Sequence, residues 1–505
     1  MQNRWKTAVE FLASRVPARL KGIVRSRTPT PDRSVVPLPM EPGSDATATA
    51  ESDPTLKGEF WAIAEPERRR DGKLTIGVKA SARLETVDLV DMRVISEPKI
   101  FPNGETHWTQ SGRPEDVVAD FAPITVHGTL DSGRDVTLVD AMGTAILFDQ
   151  TFRVGYVLDG AHVDGHDQRF SAVRFQLDDP GWWTNLEDGM TAEAGTVGSL
   201  SVLREGGLVW FVFEFTEPVT LRECDSSVVL PARTLANLAT MLDFQIGPTQ
   251  LRVDADGSSW ITVLSKNRTP RPVKYGGSRP PEFLLRPAAV LTVERFAQWI
   301  NVSAGMDGLP VVVANPPTNA AIETKALTMA SVAEGLHRRL FDESKRFQTI
   351  KPAQRKIARK AAVAIGVMAF EKAGYSDLEE VRDVLTKALG HITEMPYRSR
   401  LEDLQQEAVS VVPEVTASFQ EPTWAQLVVK TRNLLAHQLD GDKRTMLQKI
   451  DDMTLVAWSL PWVLRIVLLL RAGVEPTVIR NGLVNFSPFQ YYQANIAAIQ
   501  SKSQH

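Results

Sequence analysis

Cysteine is nearly absent from this sequence, since Cys224 is the single cysteine among 505 residues. One thiol cannot form an internal disulfide or a cysteine-rich zinc site, so a disulfide-stapled secreted scaffold is excluded. The strings GxGxxG, GxSxG, HExxH and the P-loop are missing too, so nothing supports nucleotide hydrolysis or zinc proteolysis. We therefore expect a protein of the reducing cytoplasm that uses no metal and no cofactor.

Long apolar runs are also lacking. The best candidate for a membrane span, Leu455 to Leu470, contains Pro461 and Arg465 and falls short of the roughly 20 apolar residues that a span needs. A buried core helix is the better prediction, without stable membrane insertion. Residues 1–27 hold spaced basic residues but no apolar core of a signal peptide. They predict a basic amphipathic segment, either docked as a short helix or touching a membrane or a nucleic acid.

The amino-acid composition and the hydrophobic pattern change twice along the chain. Residues 28–55 are rich in Pro, Ser, Thr and Asp, which predicts a disordered linker. From 56 to 318, short runs such as PITVHGTL, DVTLVDA and GLVWFVFEF alternate with turn signals such as Asp71-Gly72. We predict a mostly antiparallel, β-sandwich-like domain.

Residues 319–505 have little Gly or Pro and show helical spacing, which predicts an all-α bundle. The fold class is therefore α+β multidomain. The charge is divided unevenly, with 24 basic against 20 acidic residues in the helical half. Residues 36–318 hold 25 basic against 39 acidic residues, so a phosphate-rich partner suits the helical half better. Helices are predicted at about Ala321–Phe347, Pro352–Ala373, Ser376–Gly390, Tyr397–Val412, Thr423–Leu439 and Lys443–Ala472.

The string TWAQLVVKTRNLLAHQLD predicts a helix with two faces. Apolar residues from Trp424 to Leu435 share one stripe, which should face the bundle core. Asn433 and His437 are four residues apart, so they stack on one face nearly opposite that stripe, and Arg432 lies at the flank. A contact surface opposite the core suggests a two-fold dimer in which two Arg/Asn/His sets meet around one groove.

This residue set suits RNA cleavage. His437 titrates near neutral pH and can take a proton from a ribose 2′-OH or give one to the leaving 5′-oxygen. Arg432 can grip phosphate oxygens as charge builds, and Asn433 can orient the scissile group. Attack by the 2′-OH needs no metal, gives a 2′,3′-cyclic phosphate and a 5′-OH, and spares DNA.

The same residues carry a family resemblance. Arg432–His437, RNLLAH, resembles the signature of HEPN domains, and it lies on a late helix as in that family. Glu334–Leu340, EGLHRRL, resembles the first helix of the Apea-like HEPN group. The β-rich half, which opens with GEFW at Gly58–Trp61, is similar to the N-terminal domain of that group.

The resemblance implies a ribonuclease of bacterial anti-phage defence that acts by abortive infection. It implies a homodimer or higher oligomer whose paired motifs form one composite site, with catalytic roles for Arg432, Asn433 and His437. Glu334 matches the first-helix motif and either orients Arg432 or forms a structural salt bridge. By family analogy, tRNA is a candidate substrate and a phage-derived protein a candidate trigger.

Other residues leave alternatives open. A basic cluster at one inter-helix turn and the following helix predicts either an RNA-backbone track or a solvated face. His162 and His166 lie in AHVDGHDQ, which fits a polar loop better than a metal loop, and His337 is expected to pack rather than catalyse. The basic cluster consists of Lys351, Arg355, Lys356, Arg359 and Lys360.

A second function remains open from the sequence. The helical domain could be a non-catalytic HEPN module that dimerises or binds RNA or nucleotide, beside a ligand-binding β domain. The intact Arg432/His437 pair favours the enzyme, because a scaffold would not need both side chains.

Overall fold

The structure is a computed structural model, and it describes residues 54–77, 81–89, 96–100, 106–110, 123–146, 149–178, 180–254, 259–265, 282–341, 349–391, 394–437 and 444–503. The predicted basic segment 1–27 lies outside these residues, as does all of the predicted linker except its last two positions. Residues Asp53–His505 form one compact unit.

The described residues form fifteen strands, and every pairing between them is antiparallel. The predicted runs PITVHGTL, DVTLVDA and GLVWFVFEF fall on three of them. The strands are β1 Thr55–Ala62, β2 Arg70–Thr75, β3 Ala82–Val87, β4 Ser96–Ile100, β5 Thr106–Gln110, β6 Ile124–Leu130, β7 Asp135–Ile146, β8 Asp149–Val154, β9 Tyr156–Asp159, β10 Arg169–Leu177, β11 Thr191–Glu193, β12 Gly198–Glu205, β13 Leu208–Thr220, β14 Ile246–Arg252 and β15 Ile261–Leu264.

The second half of the chain is helical, as predicted. All six predicted helices are present, each within a few residues of its predicted bounds except the first, which ends at Leu340 rather than near Phe347. The helices are α1 Leu221–Cys224, α2 Leu230–Thr240, α3 Pro287–Val290, α4 Val293–Ser303, α5 Leu309–Ala314, α6 Ile322–Leu340, α7 Pro352–Lys372, α8 Leu378–Ala388, α9 Tyr397–Val411, α10 Trp424–His437, α11 Met446–Arg471, α12 Pro476–Val484 and α13 Ser487–Ser503.

Six strands close into a barrel in the order β1-β2-β3-β8-β7-β6, because β7 pairs with both β6 and β8. Phe60, Leu74 and Phe152 fill its interior. Asp71-Gly72, which the sequence predicts to be a turn, lies inside β2 instead. Gly72 is needed there for packing, since an added Cβ would lie 2.8 Å from Cδ2 of Phe60.

An open sheet continues from the barrel through β9-β15-β14-β10-β13-β12-β11. Helix α4 packs on β11 and β12, and α2 packs against α4. These two helices and α5 lie within the range predicted to be β-rich. Nearly every residue of α2 is buried, so this helix lies within the core and not at the surface.

One hydrophobic core runs from the open sheet into the helical half. Arg465 on α11 crosses this junction. Its buried guanidinium donates hydrogen bonds to the carbonyls of Asn237 and Leu238 at the end of α2, at 2.9 and 2.7 Å. It also donates to Val313 and Ala314 at the end of α5, both at 3.3 Å. The negative ends of two helix dipoles thus offset one buried positive charge.

Helix α11 contains the apolar run Leu455 to Leu470. The helix is long and apolar enough to cross a membrane by length and composition, but 78% of its most apolar window is buried inside the protein. The α11 segment is therefore a core helix, as the sequence predicts.

Candidate active site

Helix α10 presents Arg432 at the surface of the bundle. The helix begins with a reciprocal cap, in which Gln426 N–H donates to Thr423 Oγ1 at 3.4 Å and Thr423 N–H donates to Gln426 Oε1 at 2.9 Å. Trp424 is buried on the core side, where its Nε1–H donates to Ser459 Oγ at 2.8 Å. The Arg432 side chain stays 32% exposed, at the flank of the core stripe.

The predicted core stripe of α10 is buried in its first two turns and loosens afterwards. Leu427, Val428 and Thr431 are buried, whereas Leu434 and Leu435 are only half-buried. The last turn of α10 therefore packs less tightly than the first.

Glu334 on α6 lies between two arginines. Its Oε2 is 3.7 Å from Arg432 Nη2, and its Oε1 accepts a hydrogen bond from Arg338 Nη2 at 2.9 Å. This hydrogen bond raises the pKa of Arg338. Arg338 also lies 3.4 Å from Glu394, so two carboxylates hold it in place. One carboxylate thus faces both Arg338 and Arg432.

An aromatic ring supports the same guanidinium. The Arg432 Cζ atom lies 5.5 Å from the ring centroid of Tyr397, at the start of α9. The Tyr397 hydroxyl donates to the Ala330 carbonyl at 2.9 Å. Burial raises the pKa of Tyr397, so this hydroxyl remains a neutral donor. Asn433 is half-buried, and its Oδ1 is 3.5 Å from Arg432 Nη1.

A buried polar network lies next to this site. His337 on α6 is fully buried, with Nε2 2.9 Å from Asp403 and Nδ1 3.3 Å from Arg400 Nη1. These distances assign the proton to Nε2, since Arg400 can only donate. Burial lowers the pKa of His337 against the opposing effect of Asp403, and the ring stacks on Phe341. His337 therefore packs, as expected.

The other predicted site residues are less well defined by the structure. His437 is the last residue of α10, and its side chain lies outside the described part of the chain. Whether it converges with Arg432 and Asn433 stays a prediction. The predicted basic track lies on α7 and the residue before it, and its side chains are exposed except for the half-buried Arg355.

The histidines of the AHVDGHDQ loop do not converge. His162 Nε2 lies 3.0 Å from the Gly128 carbonyl, and its ring stacks on His127. His166 is largely exposed beside Asp167. Within the described ranges, no group of three or more His, Cys, Asp or Glu side chains is placed to hold a metal ion.

Family comparisons agree with both halves of this architecture. The family model described as Apea-like HEPN matches residues 327–478, which include Glu334, Arg338, Tyr397 and Arg432. The family model described as ApeA N-terminal domain 1 matches residues 55–202, which include the barrel. The chain belongs to the Apea-like HEPN family. This membership, predicted from the sequence, is confirmed, and so is the fold class of a β-rich half followed by a helical HEPN half.

The family suggests an anti-phage HEPN nuclease, because HEPN domains are generally associated with ribonuclease activity. HEPN domains also typically dimerise and act on RNA. Searches of curated proteins and of solved structures gave no significant match.

Sequence reasoning missed Arg338 and Tyr397. Arg338 follows Glu334 by four residues, the spacing of a helical ion pair, and this signal was available in EGLHRR. Tyr397 gave no such signal, because only the packing of α9 against α10 brings its ring to Arg432.

Proposed function

We propose that this chain is a metal-independent endoribonuclease of a bacterial anti-phage, abortive-infection system. It cleaves RNA by attack of the ribose 2′-OH and leaves a 2′,3′-cyclic phosphate and a 5′-OH. Two copies supply Arg432, Asn433 and His437 to one composite site. The protein acts in the cytoplasm, where its RNA substrate, with tRNA as a candidate, is present.

The observation that carries the proposal is the placement of Arg432. Its side chain is 32% exposed, and its guanidinium lies 3.7 Å from the Glu334 carboxylate and 5.5 Å from the centre of the Tyr397 ring. An arginine side chain that is held in place but still reaches solvent can bind a phosphate without first leaving a buried position. Because an arginine stays charged at every working pH, it can stabilise the charge that builds on the phosphate.

The proton steps fall to His437 in this proposal. A neutral imidazole takes the proton from the 2′-OH while the oxygen attacks phosphorus, and an imidazolium protonates the leaving 5′-oxygen. Asn433 lies next to Arg432 on the same helix and orients the scissile phosphate. The buried His337 takes no part, since it is fully enclosed and already hydrogen-bonded on both ring nitrogens.

The β-rich half serves to sense infection or to restrain cleavage. What supports this role is the core shared between the open sheet and the helical half, together with the bonds from Arg465 to the ends of α2 and α5. A conformational change in the open sheet would therefore alter the packing of α11. We expect a phage-derived protein as the trigger.

The test is to map the ends of RNA cut by purified protein. We expect 2′,3′-cyclic phosphate and 5′-OH ends, cleavage that persists in EDTA, and loss of cleavage in Arg432→Ala and His437→Ala. Lys430→Ala is the matched control, since Lys430 is a half-exposed cation on the same helix that lies 3.9 Å from Asp452 instead. Cleavage that survives in both site variants would refute the mechanism. Tight RNA binding without cleavage would indicate the non-catalytic module instead.

A further inference from the structure

Helix α7 is almost uncovered. It packs chiefly against α8, and Val367 is the one buried residue among its 21 residues. Ile357 and Ile365 are each 67% exposed, and Met368 is 65% exposed. Side chains of this size gain about 1.5–3 kcal/mol each from full burial, so their exposure in a folded helix points to a partner.

Four exposed apolar side chains of α7 form one seam, whereas the exposed Ile365 lies to one side of it and the 47% exposed Phe370 lies on the far side of the helix. Ile357, Ala361, Ala364 and Met368 follow a spacing of four, three and four residues, the pattern of a helix that packs along its length against another helix. This seam faces away from α8, because Gly366, about half a turn around the helix, meets Leu385 of α8. Among the elements that the structure describes, α8 is the one that packs most extensively on α7, and it leaves the seam open.

The seam is complementary to itself in the antiparallel direction. A two-fold axis midway between Ala361 and Ala364 places each of these alanines opposite the other in a second copy. The same axis places Ile357 opposite the second copy's Met368, so the large side chains flank a small centre where the backbones can approach closely. Isologous contacts of this kind are the rule in two-fold dimers.

The charges beside the seam agree with this direction. Lys356 and Glu371 lie on the same flank of α7. The antiparallel axis brings Glu371 of one copy to within about two residues, or roughly 3 Å of helix rise, of Lys356 of the other. Lys356 and Lys360 of both copies then lie on one side of the pair.

The surface area of the seam limits how much it can contribute to a dimer. A helix of 21 residues is about 31 Å long and about 10 Å wide, so one seam offers on the order of 300 Å² per copy. A stable interface needs roughly 800 Å² per partner. The seam therefore needs further contact elsewhere on the chain to hold a stable dimer.

We propose, building on the dimeric site of the proposed function, that α7 pairs antiparallel with α7 of a second copy about an axis between Ala361 and Ala364. The partner is a second copy of this chain, and the seam tightens the dimer.

Cysteine cross-linking tests the register. The native Cys224 is buried, so introduced thiols report alone. Full-length Ala361→Cys and Ala364→Cys proteins are mixed and oxidised with copper phenanthroline. We expect a disulfide-linked dimer that forms at least tenfold faster than in the control protein Ala362→Cys alone, because Ala362 lies on another face of α7. Equal rates in this mixture and in the control would overturn the proposal.

A charge in the seam tests its contribution. Ala364→Glu should raise the dimer dissociation constant at least tenfold in sedimentation equilibrium, whereas Ala362→Glu should leave it unchanged. Both alanines are exposed, so folding should be retained, which circular dichroism checks. An unchanged constant in Ala364→Glu overturns the proposal. Neither readout involves RNA: an active protein that fails both tests refutes only the pairing, and an inactive one that passes both refutes only the nuclease.

Discussion

Glu334→Gln is the most informative single change at the candidate site. The carboxylate of Glu334 lies 3.7 Å from Arg432 Nη2, and the two side chains are 25% and 32% exposed. Two unit charges at this separation interact by about 4 kcal/mol at an effective dielectric constant of ~20. Water reaches both groups, so screening reduces the useful part to about 1 kcal/mol. A loss of that size corresponds to roughly a fivefold fall in kcat/KM.

The assay is the initial rate of RNA cleavage over a range of substrate concentrations. Glu402→Gln is the matched control, because Glu402 forms a surface ion pair with Arg398 at 2.7 Å on α9, and it should cost less than twofold. If Glu334 acts by positioning Arg432, Glu334→Gln should weaken RNA binding in the otherwise unchanged protein but not in an Arg432→Ala background. Full activity in Glu334→Gln, or an equal loss of RNA binding in both backgrounds, would refute this role.

Three further predictions concern stability. Arg465→Met leaves four helix-end carbonyls without their buried donor and should cost ~3–5 kcal/mol in urea unfolding. Arg480→Met removes only a surface pair with Glu414 and should cost under about 1 kcal/mol; equal costs would contradict the helix-end account. Because burial lowers the pKa of His337, its stabilising contribution is present above about pH 6.5 and is lost as the pH falls. His337→Gln should therefore shrink the fall in urea midpoint between pH 7 and pH 5, and an unchanged fall would exclude His337 as its source. Gly128→Val puts a Cβ 2.5 Å from Cδ1 of Phe60 in the barrel interior. This overpacking should lower the midpoint of thermal unfolding, measured by calorimetry, by several degrees. An unchanged midpoint would mean that the residues around Phe60 can shift to make room for the new side chain.

The candidate site was only partly predictable. RNLLAH placed Arg432 at the flank of its helix because helical geometry is local, and the resulting exposure agrees. The sequence left two roles open for Glu334, orienting Arg432 or forming a structural salt bridge, and the 3.7 Å ion pair with Arg432 fits both. The place of Tyr397 in the site could not be predicted from the sequence, because it depends on how α9 and α10 pack together.

The sequence by itself determined the order of β-rich and helical halves, the helices of the second half, and the family. Each of these depends on local periodicity or on a short motif, which neighbouring residues specify. Only the tertiary structure decided that Asp71-Gly72 lies within a strand, that six strands close into a barrel, and that Arg465 ties α11 to the ends of α2 and α5. These features depend on contacts between residues far apart in the chain, where a glycine makes room for Phe60 and one buried cation needs two helix ends.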